Sequence, residues 1–174
     1  AGARDLLDIG GSHGYFSVAL CRRHPALRSV ILDLPQAIGP AAPLLALEGM
    51  GDRVRHQAGN ALTEDLGSEQ WDVVMMINLV HHFTVAQNRE RVKRIARALR
   101  PGGVLVIQEF IRPASPSETG QIGALMDLYF GLTSRAGTWS LDEMADWQRE
   151  AGLEPAKPLW LRTEPGTAQL SATR

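Results

Sequence analysis

The chain opens with a short apolar strand that runs directly into a glycine-rich turn. Leu6, Leu7 and Ile9 have the character of a buried strand, residues 10–14 (GGSHG) supply the turn, and residues 15–22 have the pattern of a helix. This unit is the one on which α/β sheets bind nucleotide-like ligands, because backbone amides at the helix start face the ligand. A parallel α/β sheet with a ligand site after its first strand is therefore predicted.

A carboxylate closes the second apolar strand. Asp33 follows residues 30–32 (VIL), at the distance from the glycine turn where an acidic residue usually accepts hydrogen bonds from ribose hydroxyls. Leu34 comes next and offers an apolar wall for an adenine ring. Together with the turn, Asp33 predicts a ligand that contains adenosine.

The glycine spacing narrows the choice of ligand. In the dinucleotide fingerprint, the second and third glycines would fall on Ser12 and Tyr15, so a nicotinamide or flavin site is disfavoured. The chain also lacks the G-x-x-x-x-G-K-[ST] motif of a phosphate-binding P-loop.

The same turn matches G-x-S-x-G, the nucleophile elbow of serine hydrolases, through Gly10, Ser12 and Gly14. That fold requires several strands before the elbow, whereas nine residues precede Gly10. It also leaves Asp8 and Asp33 without a role. A hydrolase is therefore a distant alternative.

Composition limits the remaining classes. A chain of 174 residues with a net charge of −1 predicts one globular domain and no nucleic-acid partner held by phosphate contacts. The lone Cys21 excludes an internal disulfide, and no Cys/His spacing suggests a metal site, so a reducing, cytoplasmic location is expected. No apolar run has membrane-spanning length. The abrupt start on a strand suggests that the N-terminal part of a longer protein is absent.

Strand and helix signals alternate along the chain, which is typical of βαβ units. Capping boxes at Thr84/Gln87 and Ser140/Glu143 mark two helix starts. Strands are predicted at 6–9, 30–32, 53–56, 71–77, 104–109, 159–161 and 168–172, the last two as a hairpin, and helices at 15–22, 38–47, 84–99, 117–130 and 140–151. The predicted fold is α/β: a Rossmann-like, doubly wound, mostly parallel seven-stranded sheet with a terminal antiparallel strand. The loop 112–119 after the fifth strand is expected to border the substrate.

Polar residues follow several predicted strands and should converge at one edge of the sheet. Asn60 is equally consistent with a plain turn residue and with an amide that pairs with an adenine edge. His81 and His82 follow the fourth strand, and Glu109 ends the neighbouring fifth. A histidine oriented by a carboxylate can accept a proton from a hydroxyl. From the residues alone, a structural role at a strand end is favoured for each histidine. The aromatic and methionine side chains of the last helices could line an aromatic acceptor site, although core packing is favoured for most of them: Met126, Tyr129, Phe130, Trp139 and Trp147.

Five segments in order carry a family resemblance. They are residues 7–14 (LDIGGSHG), 32–35 (LDLP), 59–60 (GN), 72–83, and 99–103 (LRPGG) with the strand to Glu109. The series resembles the catalytic domain of the caffeate-type O-methyltransferases of plants and bacteria. These belong to the class I S-adenosylmethionine-dependent methyltransferases, whose first motif is D/E-x-G-x-G-x-G.

The resemblance implies a function and a set of residues. The function is methyl transfer from S-adenosylmethionine to a hydroxyl of a small aromatic or polyketide-like acceptor, with His81 as general base and Glu109 beside it. It also implies an N-terminal dimerisation domain that covers the substrate, and hence a homodimer when that domain is present. The predicted cofactor-binding residues are Asp8, Gly10, Gly11, Ser12, Gly14, Asp33, Leu34, Asn60, Ala61 and Asn78.

Several positions depart from the family pattern. Asn60 replaces the aspartate that holds the adenine amino group, and His82 and Phe83 replace the Asp and Trp of H-D-W. Thr138 and Ile77 stand where plant members place a glutamate and often a lysine. These departures leave two alternatives open: a cofactor-binding domain without turnover, and a methyltransferase that acts on carbon or nitrogen.

Overall fold

The computed structural model describes residues 2–115, 120–134 and 136–174. Its strands are β1 (Asp5–Ile9), β2 (Arg28–Asp33), β3 (Val54–Ala58), β4 (Trp71–Ile77), β5 (Leu99–Phe110), β6 (Glu154–Pro155), β7 (Leu159–Trp160) and β8 (Thr167–Thr173). Its helices are α1 (Tyr15–Arg23), α2 (Pro35–Leu47), α3 (Val85–Ala98), α4 (Gly120–Thr133) and α5 (Leu141–Glu150), and short 3₁₀ turns cover Gly51–Arg53 and Val80–His82.

One mixed sheet organises the described residues, in the order β3-β2-β1-β4-β5-β8-β6. Strands β3 to β5 along this order are parallel, and β8 runs antiparallel to β5. The two-residue strands β6 and β7 pair with opposite ends of the outer edge of β8. The sheet is therefore seven strands wide, built from eight strands, and the predicted mostly parallel α/β fold is confirmed.

Both faces of the sheet are buried, because successive side chains of a strand point to opposite faces. On β1, Leu7 and Ile9 pack with Val74 and Met76 of β4 in one core cluster. Leu6 belongs to the other cluster. The strand order reverses between β1 and β4, and in such sheets ligands lie at this point, beyond the carboxyl ends of the strands.

Two predicted boundaries are wrong: the start of α2 and the start of β5. Helix α2 begins at Pro35 rather than at residue 38, because proline at the first helical position lacks only an amide that has no helical partner. Pro40 and Pro43 then lie inside α2 on its exposed side.

Strand β5 begins five residues before its predicted start at 104 and includes the P-G-G segment at 101–103. Helix α3 ends at Ala98, and β5 begins at Leu99. The pairing jumps from Trp71↔Leu99 to Val73↔Val104, so the glycine-rich segment is an irregularity within β5, with Gly102 at φ 77°.

The remaining boundaries differ little from the predictions. Both capping boxes and the closing hairpin of β7 and β8 are confirmed. Helix α4 ends three residues later than predicted, at Thr133. Residues 117–119 of that predicted helix, and 116–119 of the predicted substrate loop, lie outside the described residues.

Within residues 2–115, 120–134 and 136–174, no helix has the length and apolar character needed to cross a membrane. The same ranges hold no group of three or more His, Cys, Asp or Glu side chains placed to bind a metal ion.

Candidate active site

The carboxyl ends of β1, β2, β3 and β4 surround a cleft of about 490 Å³. Six of the ten predicted cofactor-binding residues line it, together with residues that the sequence did not single out for this purpose. The lining consists of Gly10, Leu32, Asp33, Leu34, Gly59, Asn60, Ala61, Leu62, Asn78, Leu79, His82 and Phe83.

The glycine turn needs backbone conformations that side chains disfavour. Gly10 and Gly14 have φ of 75° and 81°, and Ser12 has φ of 49°. A Cβ on Gly10 would lie 2.7 Å from Leu79 Cδ1, so only glycine fits there without a shift. Ser12 occupies the left-handed region where the family motif has its middle glycine. Its carbonyl oxygen lies 2.7 Å from His56 Nε2, a contact that no sequence motif predicted.

Asp8 lies behind the turn, not on the cleft. It is 2% exposed, and its Oδ2 accepts a hydrogen bond of 2.7 Å from Ser17 Oγ. A Cβ on Gly11 would come within 2.4 Å of Oδ2, which explains the second glycine. Burial raises the pKa of Asp8 to about 6; the Ser17 hydrogen bond opposes this rise and the nearby charge of Asp33 adds to it.

This raised pKa predicts how stability depends on pH. The native state binds the Asp8 proton more tightly than the unfolded chain, so the contribution of Asp8 to the free energy of unfolding falls as pH rises from about 4 to above 6. We expect Asp8→Asn, which keeps the size without the charge, to gain about 2.5 kcal/mol over wild type between pH 4 and pH 8. Urea unfolding at both pH values measures this difference. The exposed Asp52→Asn is the control, and a difference independent of pH would contradict the assignment.

Asp33 ties the turn to the end of β2. Its Oδ2 accepts the Ser12 backbone amide at 2.9 Å, and its Oδ1 accepts the Leu34 amide at 2.8 Å. Each oxygen of an ionised carboxylate has capacity for a further donor. Asp33 can therefore hold the loop and still receive two hydroxyls from the cleft.

Asn60 closes a turn with its side chain and also lies on the cleft. Its Oδ1 accepts the Leu62 amide at 2.9 Å, as in a side-chain-closed turn, and the residue also lines the cleft. Asn78 follows β4 with φ of 50°, and its backbone N–H donates to the backbone carbonyl of Gln108 at 2.9 Å.

A buried histidine–carboxylate pair lies where β4 and β5 end side by side. His81 Nδ1 is 2.8 Å from Glu109 Oε2, and both side chains are almost completely buried. The second oxygen of Glu109 accepts the Phe110 amide at 3.0 Å. The predicted partners are thus brought together, with Glu109 positioned to stabilise a charged His81.

The surroundings of His81 were not predicted. His81 Nε2 lies 3.1 Å from His82 Nε2, and His82 Nδ1 lies 3.1 Å from Ser134 Oγ at the end of α4. Phe130 stacks on the His81 ring with a centroid distance of 3.5 Å and an angle of 18°. A tight 3₁₀ turn brings the rings of these two adjacent histidines together, with their centroids 4.2 Å apart.

Two of the residues that depart from the family pattern, Thr138 and Phe83, make defined contacts in the structure. The Thr138 amide and hydroxyl both donate to Asp127 Oδ1 at 2.8 Å, which makes Thr138 part of the link between α4 and α5. Phe83 lines the cleft, and the Arg91 guanidinium lies 3.6 Å above its ring. Burial, with a smaller effect of Arg94, lowers the pKa of Arg91 to about 10.

Comparison with known proteins shows to which family the chain belongs. A family model described as an O-methyltransferase domain matches residues 1–152. A 3-hydroxy-5-methyl-1-naphthoate 3-O-methyltransferase of Streptomyces sahachiroi is 30% identical over 156 residues, 87% of this chain and 44% of that protein. The N,N-dimethyltransferase OxyT of Streptomyces rimosus is 31% identical over 153 residues, 87% of this chain and 43% of that protein.

A solved O-methyltransferase family protein from Burkholderia thailandensis superposes with a TM-score of 0.86 at 26% identity. The match covers 99% of this chain and 51% of that one. The chain thus spans about half the length of these relatives. By the match over residues 1–152, it belongs to the O-methyltransferase domain family.

Proposed function

We propose that the protein transfers a methyl group from S-adenosylmethionine to a hydroxyl of a small aromatic or polyketide-like acceptor. The observation that carries this proposal is the adjacency of two arrangements. A glycine-turn cleft that carries the Asp33 carboxylate lies beside a buried histidine–carboxylate pair, and His82 links the two. A proton acceptor next to a nucleoside site is what methylation of a hydroxyl requires.

The cleft residues fit this cofactor. Asp33 offers lone pairs to two ribose hydroxyls, and the glycine turn lets a ligand approach the backbone. Leu34, Leu62 and Phe83 supply apolar walls for an adenine ring, and the Asn60 amide lies among them. The four predicted cofactor-binding residues that do not line the cleft would act by holding the loop in shape: Asp8, Gly11, Ser12 and Gly14.

The protein's own part in the reaction is to position the acceptor and to take up the proton of its hydroxyl. When bound, S-adenosylmethionine supplies an electrophilic methyl group on its sulfonium. The His81–Glu109 pair takes up the proton that leaves the hydroxyl, and the buried carboxylate stabilises the imidazolium. Alignment of the acceptor with the methyl group supplies much of the remaining acceleration.

We further propose a homodimer built through an N-terminal domain of the kind found in the family. Helix α4 carries an exposed apolar face: Ile122, Leu125, Leu128, Tyr129 and Leu132. Exposed patches of this kind mark interaction surfaces. The relatives are about twice the length of this chain, which supports a further domain as the partner of α4. The buried free thiol of Cys21 supports a cytoplasmic location.

Calorimetric titration tests the cofactor first. We expect S-adenosylhomocysteine to bind the chain and NAD not to bind; binding of NAD alone would overturn the proposal. Methyl transfer by the complete protein is then measured with phenols and with matched anilines. Anilines are included because OxyT is an N,N-dimethyltransferase. Binding without transfer to any acceptor would favour the domain without turnover.

A further inference from the structure

A second histidine separates the buried pair from the cleft. His81 is 3% exposed, and it does not belong to the cleft lining of the described residues. Phe130 covers one face of its ring. His82, in contrast, lines the cleft. An acceptor hydroxyl that approaches the buried pair from the side of the cleft therefore meets His82 before it can reach His81.

Four side chains form a continuous hydrogen-bonded chain: Glu109, His81, His82 and Ser134. With Glu109 ionised and both histidines neutral, one proton arrangement satisfies every contact. His81 donates from Nδ1 to Glu109 and accepts at Nε2 from His82 Nε2–H. His82 Nδ1 is then left to accept from the Ser134 hydroxyl.

We propose that His82 contacts the acceptor hydroxyl and relays its proton: His82 Nδ1 takes the proton while His82 Nε2 passes its own to His81 Nε2. This inference rests on the proposed methyl transfer and names the residue that receives the proton. The acceptor O–H bond breaks and its oxygen bonds to the methyl group as the methyl–sulfur bond breaks. The proton released ends as the second proton of His81, paired with Glu109.

The contacts of His82 fit this role. The Ser134 hydroxyl, 3.1 Å from Nδ1, marks a position where an acceptor hydroxyl can sit in its place. Among the described residues, the groups recorded against His82 are His81, Ser134, Phe83 and Phe130, with the charge of Glu109 beyond His81. Burial, with the neighbouring His81, lowers the pKa of His82, while Glu109 raises it. A neutral His82 near pH 7 is ready to accept a proton.

Kinetics of the complete protein test the relay. We expect His82→Ala to lower kcat by about 10²-fold with a smaller change in KM, since a positioned proton acceptor contributes at least this much. Exogenous imidazole should restore part of the rate, because the space left by His82 opens to the cleft. His81→Ala should not respond, because Phe130 covers its site. His24→Ala, at the exposed end of α1, is the control that keeps the wild-type rate. Unchanged kcat in His82→Ala would overturn the relay.

Nitrogen NMR of the histidine rings gives a readout that does not need turnover. In the free wild-type protein we expect His82 to carry its proton on Nε2 and His81 on Nδ1, and Ser134→Ala to move the His82 Nδ1 signal. The opposite tautomer of His82 would contradict the proposed arrangement of protons along these hydrogen bonds. If this pattern is present and the wild-type protein methylates no acceptor, the proposed function fails and the relay's chemical role fails with it. Turnover that survives His82→Ala removes the relay alone.

Discussion

Replacing His81 with asparagine in the complete protein is expected to lower kcat by about 10²–10⁴-fold, the usual contribution of general acid–base catalysis. Asparagine can still donate a hydrogen bond toward Glu109 from a position similar to Nδ1, but it cannot take up a proton. The KM for the acceptor should change much less, because the buried ring lies away from the cleft surface. Steady-state methylation at saturating S-adenosylmethionine measures both constants.

Stability must be separated from chemistry in this test, because Glu109 is fully buried and loses the histidine with which it pairs. Breaking a buried ion pair leaves an uncompensated charge and destabilises the protein by about 3–5 kcal/mol. The double variant His81→Asn/Glu109→Gln removes that charge and should recover most of the stability while staying inactive. Recovery of activity in the double variant would contradict a catalytic role for His81. His24→Asn, far from the cleft at the end of α1, should behave as wild type.

The central sheet was predictable because its signals are local. The apolar run at 71–77 matches β4 at both ends, and the two capping boxes begin α3 and α5 as predicted. Strand β6 carried no such signal, since two residues have no periodicity. It exists because the outer edge of β8 offers hydrogen bonds to a passing chain. The irregular start of β5 likewise depends on its pairing with β4, a tertiary contact.

The candidate site likewise contains residues that the sequence predicts and contacts that it does not. Asp33 was predictable from its distance to the glycine turn, and His81 and Glu109 from a family motif and from adjacent strands. The hydrogen-bond partners of Asp33 were not predictable, because the Ser12 backbone amide reaches its carboxylate only through a left-handed turn. The contact of His82 with Ser134 spans 52 residues and depends on where α4 ends. No spacing rule connects residues held together by the packing of a helix onto a loop.

Asp33→Ala is expected to weaken S-adenosylhomocysteine binding by about 10²-fold, because hydrogen bonds to a charged group contribute about 1.5–3 kcal/mol each. Two effects add in this variant. The cleft loses the acceptors for ribose hydroxyls, and the glycine turn loses the side chain that holds the Ser12 amide. Calorimetric titration of the chain with S-adenosylhomocysteine measures the affinity.

A second substitution separates these two effects. Asp33→Asn keeps one oxygen for a backbone amide but turns a donor toward the other, so it disturbs one anchor of the loop and halves the acceptors available to the ligand. Its affinity should fall between wild type and Asp33→Ala. Asp52→Ala, an exposed carboxylate before β3 at the opposite edge of the sheet, should bind as wild type. If Asp33→Ala binds as tightly as wild type while its unfolding free energy falls, the carboxylate holds the turn only. The ribose would then have to be held elsewhere in the cleft, where Asn60 and Asn78 are the remaining polar side chains apart from His82.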